Sequence, residues 1–111
     1  FVNGGNQHLN LVHINDLLDV IKLVIQKKKL SSKQILNVGS NDNISVKELA
    51  KYVAKTTGKG VKIEIKKPIK EETLNFKPSI KKLKKILDFS PKVRLKKGID
   101  EIISSNKIND Q

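Results

Sequence analysis

Cysteine, methionine and tryptophan are absent from these 111 residues, and a single tyrosine accompanies three phenylalanines. Without cysteine there are no disulfides and no thiolate chemistry, which fits a reducing compartment. With aromatics at 4% and apolar residues at 37%, the core is expected to be aliphatic. Arginine is nearly missing too, since Arg94 stands against 22 lysines. No apolar run approaches the roughly eighteen residues that span a bilayer. The opening Phe1-Val2-Asn3-Gly4-Gly5 lacks the basic start and apolar centre of a signal peptide. These absences lead us to expect one cytoplasmic domain with no membrane partner, on a chain whose start at Phe1 points to trimming.

What the chain has in excess is positive charge, +12 at pH 7. A basic protein can be held to nucleic acid by neutralising phosphates. Base-edge readout and bidentate phosphate clamps favour the planar fork of arginine, however, and stacking on bases needs more rings than this chain carries. Lysine, asparagine and isoleucine make up 46 of the residues, a bias that AT-rich coding sequence also produces. The balance weighs against nucleic acid, which is kept as an alternative beside a non-catalytic structural domain.

Periodicity predicts a small α/β domain. Phe1-Val2 reads as a strand end, Asn3 to Asn10 as a loop, and Leu11-Val12-His13-Ile14 as a buried strand. From Asp16 the apolar positions cover more than one helical face, so that helix is expected to be buried against several neighbours. Asn15 or Asp16 can cap it, and Lys27-Lys28-Lys29 suits its C-terminal dipole. Gln34 to Val38 returns as a strand ending at Gly39. Ser45 and Glu48 form a capping box, with Val46, Leu49, Ala50, Val53 and Ala54 behind them at helical spacing and Gly58 or Gly60 as the stop. Val61 to Ile65 alternates with period two, as a half-exposed strand does. Ser79 is expected to cap a helix that turns Ile80, Leu83, Ile86 and Leu87 inward. Leu95, Ile99, Ile102 and Ile103 mark the last one.

Few residues are placed for chemistry. Gly4, Gly5, Gly39, Gly58, Gly60 and Gly98 nowhere make the glycine-rich turn that holds a dinucleotide pyrophosphate. His8, His13 and Asp16 could be offered as metal ligands, but nothing in their spacing forces them together, and no metal is expected. Glu71 and Glu72 are adjacent and would point apart on regular structure, which does not suit paired acid–base work. Lys66, Lys67 and Lys70 follow a strand in an irregular segment, a good place to reach a phosphate. The plainer alternative is a solvated loop whose lysines keep the protein soluble.

Three segments in order carry a family resemblance. Val12-His13-Ile14-Asn15-Asp16-Leu17 resembles an "arginine … His-Val-x-Asp-Leu" element. Asn37-Val38-Gly39 through Ser45-Val46-Lys47-Glu48-Leu49 resembles "Asn-Val-Gly … Ser-Val-x-Glu-Leu". Ser79 to Pro91 and then Leu95-Lys96-Lys97-Gly98-Ile99 resembles a closing "Leu-Gly-Trp-x-Pro … Leu-x-x-Gly-Ile". This order is similar to the C-terminal part of NAD-dependent nucleotide-sugar epimerases and dehydratases, in the extended short-chain dehydrogenase/reductase family.

The resemblance implies a small, at least partly parallel sheet of two or three strands with about four helices. It makes residues 1–111 a substrate-binding domain or fragment whose cofactor-binding Rossmann domain is absent. NAD(P) and the catalytic Tyr-x-x-x-Lys would belong to that missing half. The lone Tyr52 is followed four residues on by Thr56, so this chain is not expected to bind the cofactor or catalyse alone. The ligand implied is a UDP-, GDP- or dTDP-linked sugar. Phe1 and Val2 would lie beside its base, while Gln7, His8, Lys67, Lys70 and Glu72 would line the diphosphate and sugar. Leu9 stands where the family has its diphosphate-pairing arginine, and Ser79 where it has an aspartate. Self-association through the face left bare by the missing domain is expected.

Overall fold

The apolar run after His13 folds as a 13-residue helix, α1 (Ile14–Gln26), in the computed structural model, which describes residues 2–68 and 75–109. The other elements are β1 (Val2–Asn3), β2 (His8–Asn10), α2 (Lys28–Ser31), β3 (Asn43–Ser45), α3 (Val46–Thr57), β4 (Ile65–Lys66), α4 (Lys81–Leu87) and α5 (Leu95–Asn109). The class is α/β, as expected, with five helices among the described residues rather than four. The strands make two separate ladders. β1 runs parallel to β4, with Val2 opposite Ile65 and Asn3 opposite Lys66. β2 runs antiparallel to β3, with His8 opposite Ser45, Leu9 opposite Ile44 and Asn10 opposite Asn43.

The strands differ from expectation in three places. The first ladder strand of the 8–14 region is His8–Asn10, and Leu11 to His13 only lead into α1. A polar side chain decides this. Asn10 Nδ2 donates to Asn43 Oδ1 (2.7 Å) and to the Ser40 and Asp42 carbonyls, while its Oδ1 accepts from the Ser40 N–H (2.8 Å). A Cβ on Gly39 would stand 2.7 Å from that same Oδ1 and 2.8 Å from Pro78 Cγ, so only glycine fits there. Of Val61 to Ile65, only Ile65 enters a ladder. Ile35 to Val38 alternates as a strand should, with Leu36 and Val38 packed on the core and Ile35 86% exposed. Yet among the described residues its backbone N–H and C=O groups make no hydrogen bond.

Helix ends explain much of the rest. Ser45 Oγ accepts from the Glu48 N–H, and the Glu48 carboxylate accepts from the Ser45 N–H (3.0 Å) and hydroxyl (2.6 Å), which completes the expected capping box. Gly58 closes α3 in the left-handed conformation (φ +65°). α1 is capped by neither Asn15 nor Asp16. His13 Nδ1 accepts from the Asn15 N–H (3.1 Å), which places the ring proton on Nε2, 3.4 Å from the Glu101 carboxylate. A Cβ on Gly98 would sit 2.9 Å from the His13 ring, so the glycine inside α5 is where the two elements meet. Asp16 is 1% exposed and accepts instead from the Lys92 and Val93 N–H groups, tying α1 to the segment before α5. Lys27 donates to the Leu87 carbonyl at the end of α4 (2.9 Å), so it serves a neighbour's C-terminus. α4 starts after Ile80, without the Ser79 side-chain cap that was expected.

The hydrogen bonds from Ser45 hold the Glu48 carboxyl below its ordinary value of 4.5. A carboxylate favoured in the folded state adds stability above that ordinary value and loses it as pH falls through the lowered one. Thermal melts followed from about pH 5 down to pH 3 should show an acid-side decline that Glu48→Gln flattens. An identical decline in the variant would show that the box does not contribute.

The fully packed interior is small: Val20, Ile80, Leu83, Leu87 and Phe89, with Leu23, Leu36, Val38 and Ile86 against them. The Cα atoms occupy a slab of 51 × 41 × 15 Å with a radius of gyration of 17.2 Å. A compact chain of this length has a radius near 13 Å. The surface exposed is 8653 Å², where about 6,200 Å² is usual for this mass. Part of the excess lies on α1, where Ile14, Leu18, Ile21 and Ile25 recur at helical spacing and are all open to solvent. The face that the sequence predicts to be buried against several neighbours is only partly covered by the described residues.

Candidate functional site

The two glycines after β1 shape the region that the sequence singles out. Gly4 and Gly5 both take positive φ (+65° and +71°), turning the chain from β1 into β2. The Gly4 N–H donates to the Lys66 carbonyl (2.9 Å), and a Cβ on Gly4 would stand 3.1 Å from Pro68. That contact brings Lys67 beside the turn. The other side of the turn is fastened to α3, because the Gly5 and Gln7 carbonyls accept from the Lys47 and Val46 N–H groups (3.0 and 3.1 Å). Lys47 Nζ donates to Asn6 Oδ1 (2.9 Å), steadying the tip.

Val2 lies in the β1–β4 ladder with Lys67 just after it, while Gln7 and His8 open the other ladder, and the Gly4-Gly5 turn joins the two. Phe1, Lys70 and Glu72 lie outside the described residues. Asn75, which sequence reasoning missed, joins the group: it forms a bridge with His8, and its Oδ1 lies 3.1 Å from His8 Nδ1. A lone asparagine in an irregular segment carries no periodic signal, so nothing in the sequence marked it. Leu9 is half-buried in the β2 ladder opposite Ile44. Strand alternation sends His8 and Asn10 to the face opposite Leu9, so His8 does not occupy the space of an arginine at position 9.

The start of α3 and the first N–H of α5, backbone groups of the kind that hold phosphate, are already filled by the protein's own groups. The first three N–H groups of α3 go to Gln7, Gly5 and Ser45, and the Leu95 N–H of α5 goes to Asp42 Oδ2 (3.0 Å). Asp42 also pairs with Arg94 (2.8 Å). The glycines do not fit a dinucleotide either. Gly39, the one that follows an extended segment, points its missing Cβ into Asn10 and Pro78 and cradles no open space.

The other candidates have structural duties. His13 and Asp16 are engaged as described, and the described residues contain no group of three metal-ligating side chains. Tyr52 donates to Asp100 Oδ1 (2.7 Å), which joins α3 to α5, and that hydrogen bond pushes its phenol pKa up. No helix among the described residues is long and apolar enough to cross a membrane.

No family model matches this chain. Among curated proteins it is 27% identical over 95 residues to UDP-glucuronic acid decarboxylase 4 of Arabidopsis thaliana, covering 86% of this chain and 21% of that protein. It is 28% identical over 106 residues to UDP-N-acetyl-alpha-D-glucosaminuronate decarboxylase of Bacillus cytotoxicus, covering 89% and 32%. Among solved structures, the UDP-glucuronic acid 4-epimerase of Bacillus cereus, in complex with UDP-glucuronic acid and NAD, superposes with a TM-score of 0.82. There the identity is 21%, over 98% of this chain and 35% of the epimerase, and the likeness is one of fold. The chain spans about a fifth to a third of the curated relatives it matches. Its relatives in sequence and fold are nucleotide-sugar decarboxylases, epimerases and dehydratases of the extended short-chain dehydrogenase/reductase type, and the match is to their C-terminal part.

Proposed function

We propose that this chain is the nucleotide-sugar-binding, C-terminal portion of an NAD-dependent sugar-nucleotide epimerase, dehydratase or decarboxylase, acting in the cytoplasm and not catalytic alone. The observation that carries the reading is the bare face. Ile35 to Val38 alternates exposed and packed side chains with no backbone hydrogen bond among the described residues, and α1 separately carries the open stripe of Ile14, Leu18, Ile21 and Ile25. A strand with unpaired backbone and an apolar helix in the same small unit fit a second domain that supplies both a ladder partner and a cover. In this reading the second domain is the dinucleotide-binding half and brings NAD and the catalytic tyrosine and lysine.

The ligand is a UDP-, GDP- or dTDP-linked sugar, UDP being the nucleotide in the names of the relatives. Phe1 and Val2 border the base. Gln7, His8, Lys67, Lys70 and Glu72 line the diphosphate and sugar, with Lys67 contributing a point charge rather than a planar fork. With leucine at position 9, the diphosphate lacks a bidentate partner, so affinity in the isolated chain is modest.

Thermal denaturation with UDP-glucuronic acid, glucuronic acid and duplex DNA tests this. Only the UDP-sugar is expected to raise the melting temperature, by an amount that grows with the logarithm of its concentration above Kd. A flat response to UDP-, GDP- and dTDP-sugars alike, or stabilisation by DNA that vanishes with salt, would overturn it.

A further inference from the structure

We infer that the groove between α3 and the start of α5 is a separate binding site for a small phosphorylated molecule that carries a flat or apolar body. The groove encloses about 600 Å³, within the range of small-molecule sites. It shares none of Val2, Gln7, His8 and Lys67. Ile44 and Leu95 give it apolar lining, Tyr52 adds a ring, and Lys51, Lys55 and Lys96 bring three ammonium groups.

The charge balance points to an anion. Two carboxylates also line the groove, but both are committed. Asp42 holds Arg94 and the Leu95 N–H, and Glu48 is bonded to Ser45. The three lysines have no carboxylate at ion-pair distance among the described residues. Lys51 and Lys55 are one helical turn apart, so both ammoniums can reach a single phosphate. Lys96 comes from the facing helix with its Nζ 5.4 Å from the Tyr52 ring centroid. The ring itself is fixed, because its hydroxyl is held by Asp100. Point charges on flexible stems suit a terminal phosphate, while the aliphatic lining and the ring suit an attached body. A local hollow with three lysines, none in an ion pair among the described residues, favours a small ligand over a nucleic-acid backbone, which would need a continuing track.

The protein carries its own reporter. Tyr52 is the only tyrosine and there is no tryptophan, so intrinsic emission at tyrosine wavelengths comes from this groove alone. Titration with inorganic phosphate and with phenyl phosphate at low ionic strength should give saturable changes in that emission, phenyl phosphate binding the tighter of the two. Lys51→Glu with Lys55→Glu should weaken phenyl phosphate by about tenfold or more. Lys81→Glu with Lys82→Glu, the same charge change on the exposed side of α4, should leave the affinity unaltered. If the first pair disturbs α3, Lys51→Gln with Lys55→Gln serves in its place, with folding checked by circular dichroism. Calorimetry on Tyr52→Phe should show binding retained with emission lost. The inference fails if neither probe saturates, if phenyl phosphate binds no tighter than phosphate, if both charge-reversal pairs weaken it equally, or if an oligonucleotide displaces the probe with steep salt dependence. None of these outcomes depends on a nucleotide sugar binding elsewhere.

Discussion

Asp16→Ala is expected to lower stability by about 3–4 kcal/mol, as the removed carboxylate accepts from two N–H groups and charge-assisted bonds are worth roughly 1.5–3 kcal/mol each. Asp16 is buried and reaches across 76 residues to the Lys92 and Val93 N–H groups. Alanine leaves those two donors without their acceptor and opens the join between α1 and the approach to α5. Small domains have only about 5–15 kcal/mol in hand, and a chain with five buried apolar residues among those described, only Leu83 and Leu87 wholly shielded, belongs at the lower end. Urea melts should therefore find the variant largely unfolded at room temperature. Asp16→Asn keeps one carbonyl oxygen and is expected to lose about half as much. A midpoint shift within experimental scatter for Asp16→Ala would remove the carboxylate from its structural role.

The second large effect is on association. Leu18 and Ile21 are 45% and 47% exposed on the open face of α1. Covering a side chain of this kind contributes about 1.5–3 kcal/mol. The unmodified chain is expected to elute from gel filtration at high concentration as a dimer or larger species. Leu18→Lys with Ile21→Lys should elute as a monomer, with stability changed by no more than about 0.5 kcal/mol, as surface substitutions usually give. If the proposed dinucleotide-binding domain is what covers this face, the same two changes in a protein that includes it should weaken its docking by about a hundredfold or more. A clean monomer from the unmodified chain at high concentration would count against an adhesive α1 face.

Local rules were the most legible ones. The Ser45–Glu48 box, the stop at Gly58 and the inward residues of α4 each depend on neighbours within four positions, and all three stand in the structure. Long-range pairing was not legible. Leu11 to Ile14 has the composition of a strand, yet the ladder forms at His8–Asn10 because Asn10 finds Ser40, Asp42 and Asn43 some thirty residues away. Asp16 sits where a helix cap is expected but is spent on a loop far along the chain, and His13, a less usual cap, takes its place. Gln34 to Val38 has the pattern of a strand and Ile35 to Val38 keeps its alternation of exposed and packed side chains, but no ladder forms there among the described residues. Of the site, the glycine turn at Gly4 and Gly5 is legible in the sequence. Asn75 comes in only through the fold.

Thinness sets how this molecule would report on its surroundings. With Cα atoms spread through a layer only 15 Å deep, no amide is far from water on both sides. Exchange with deuterium is then expected to be rapid outside the helices, with no slow central nucleus to mask a change. Covering one side would slow exchange on that side alone, so the pattern of newly protected amides would draw the outline of whatever had settled there.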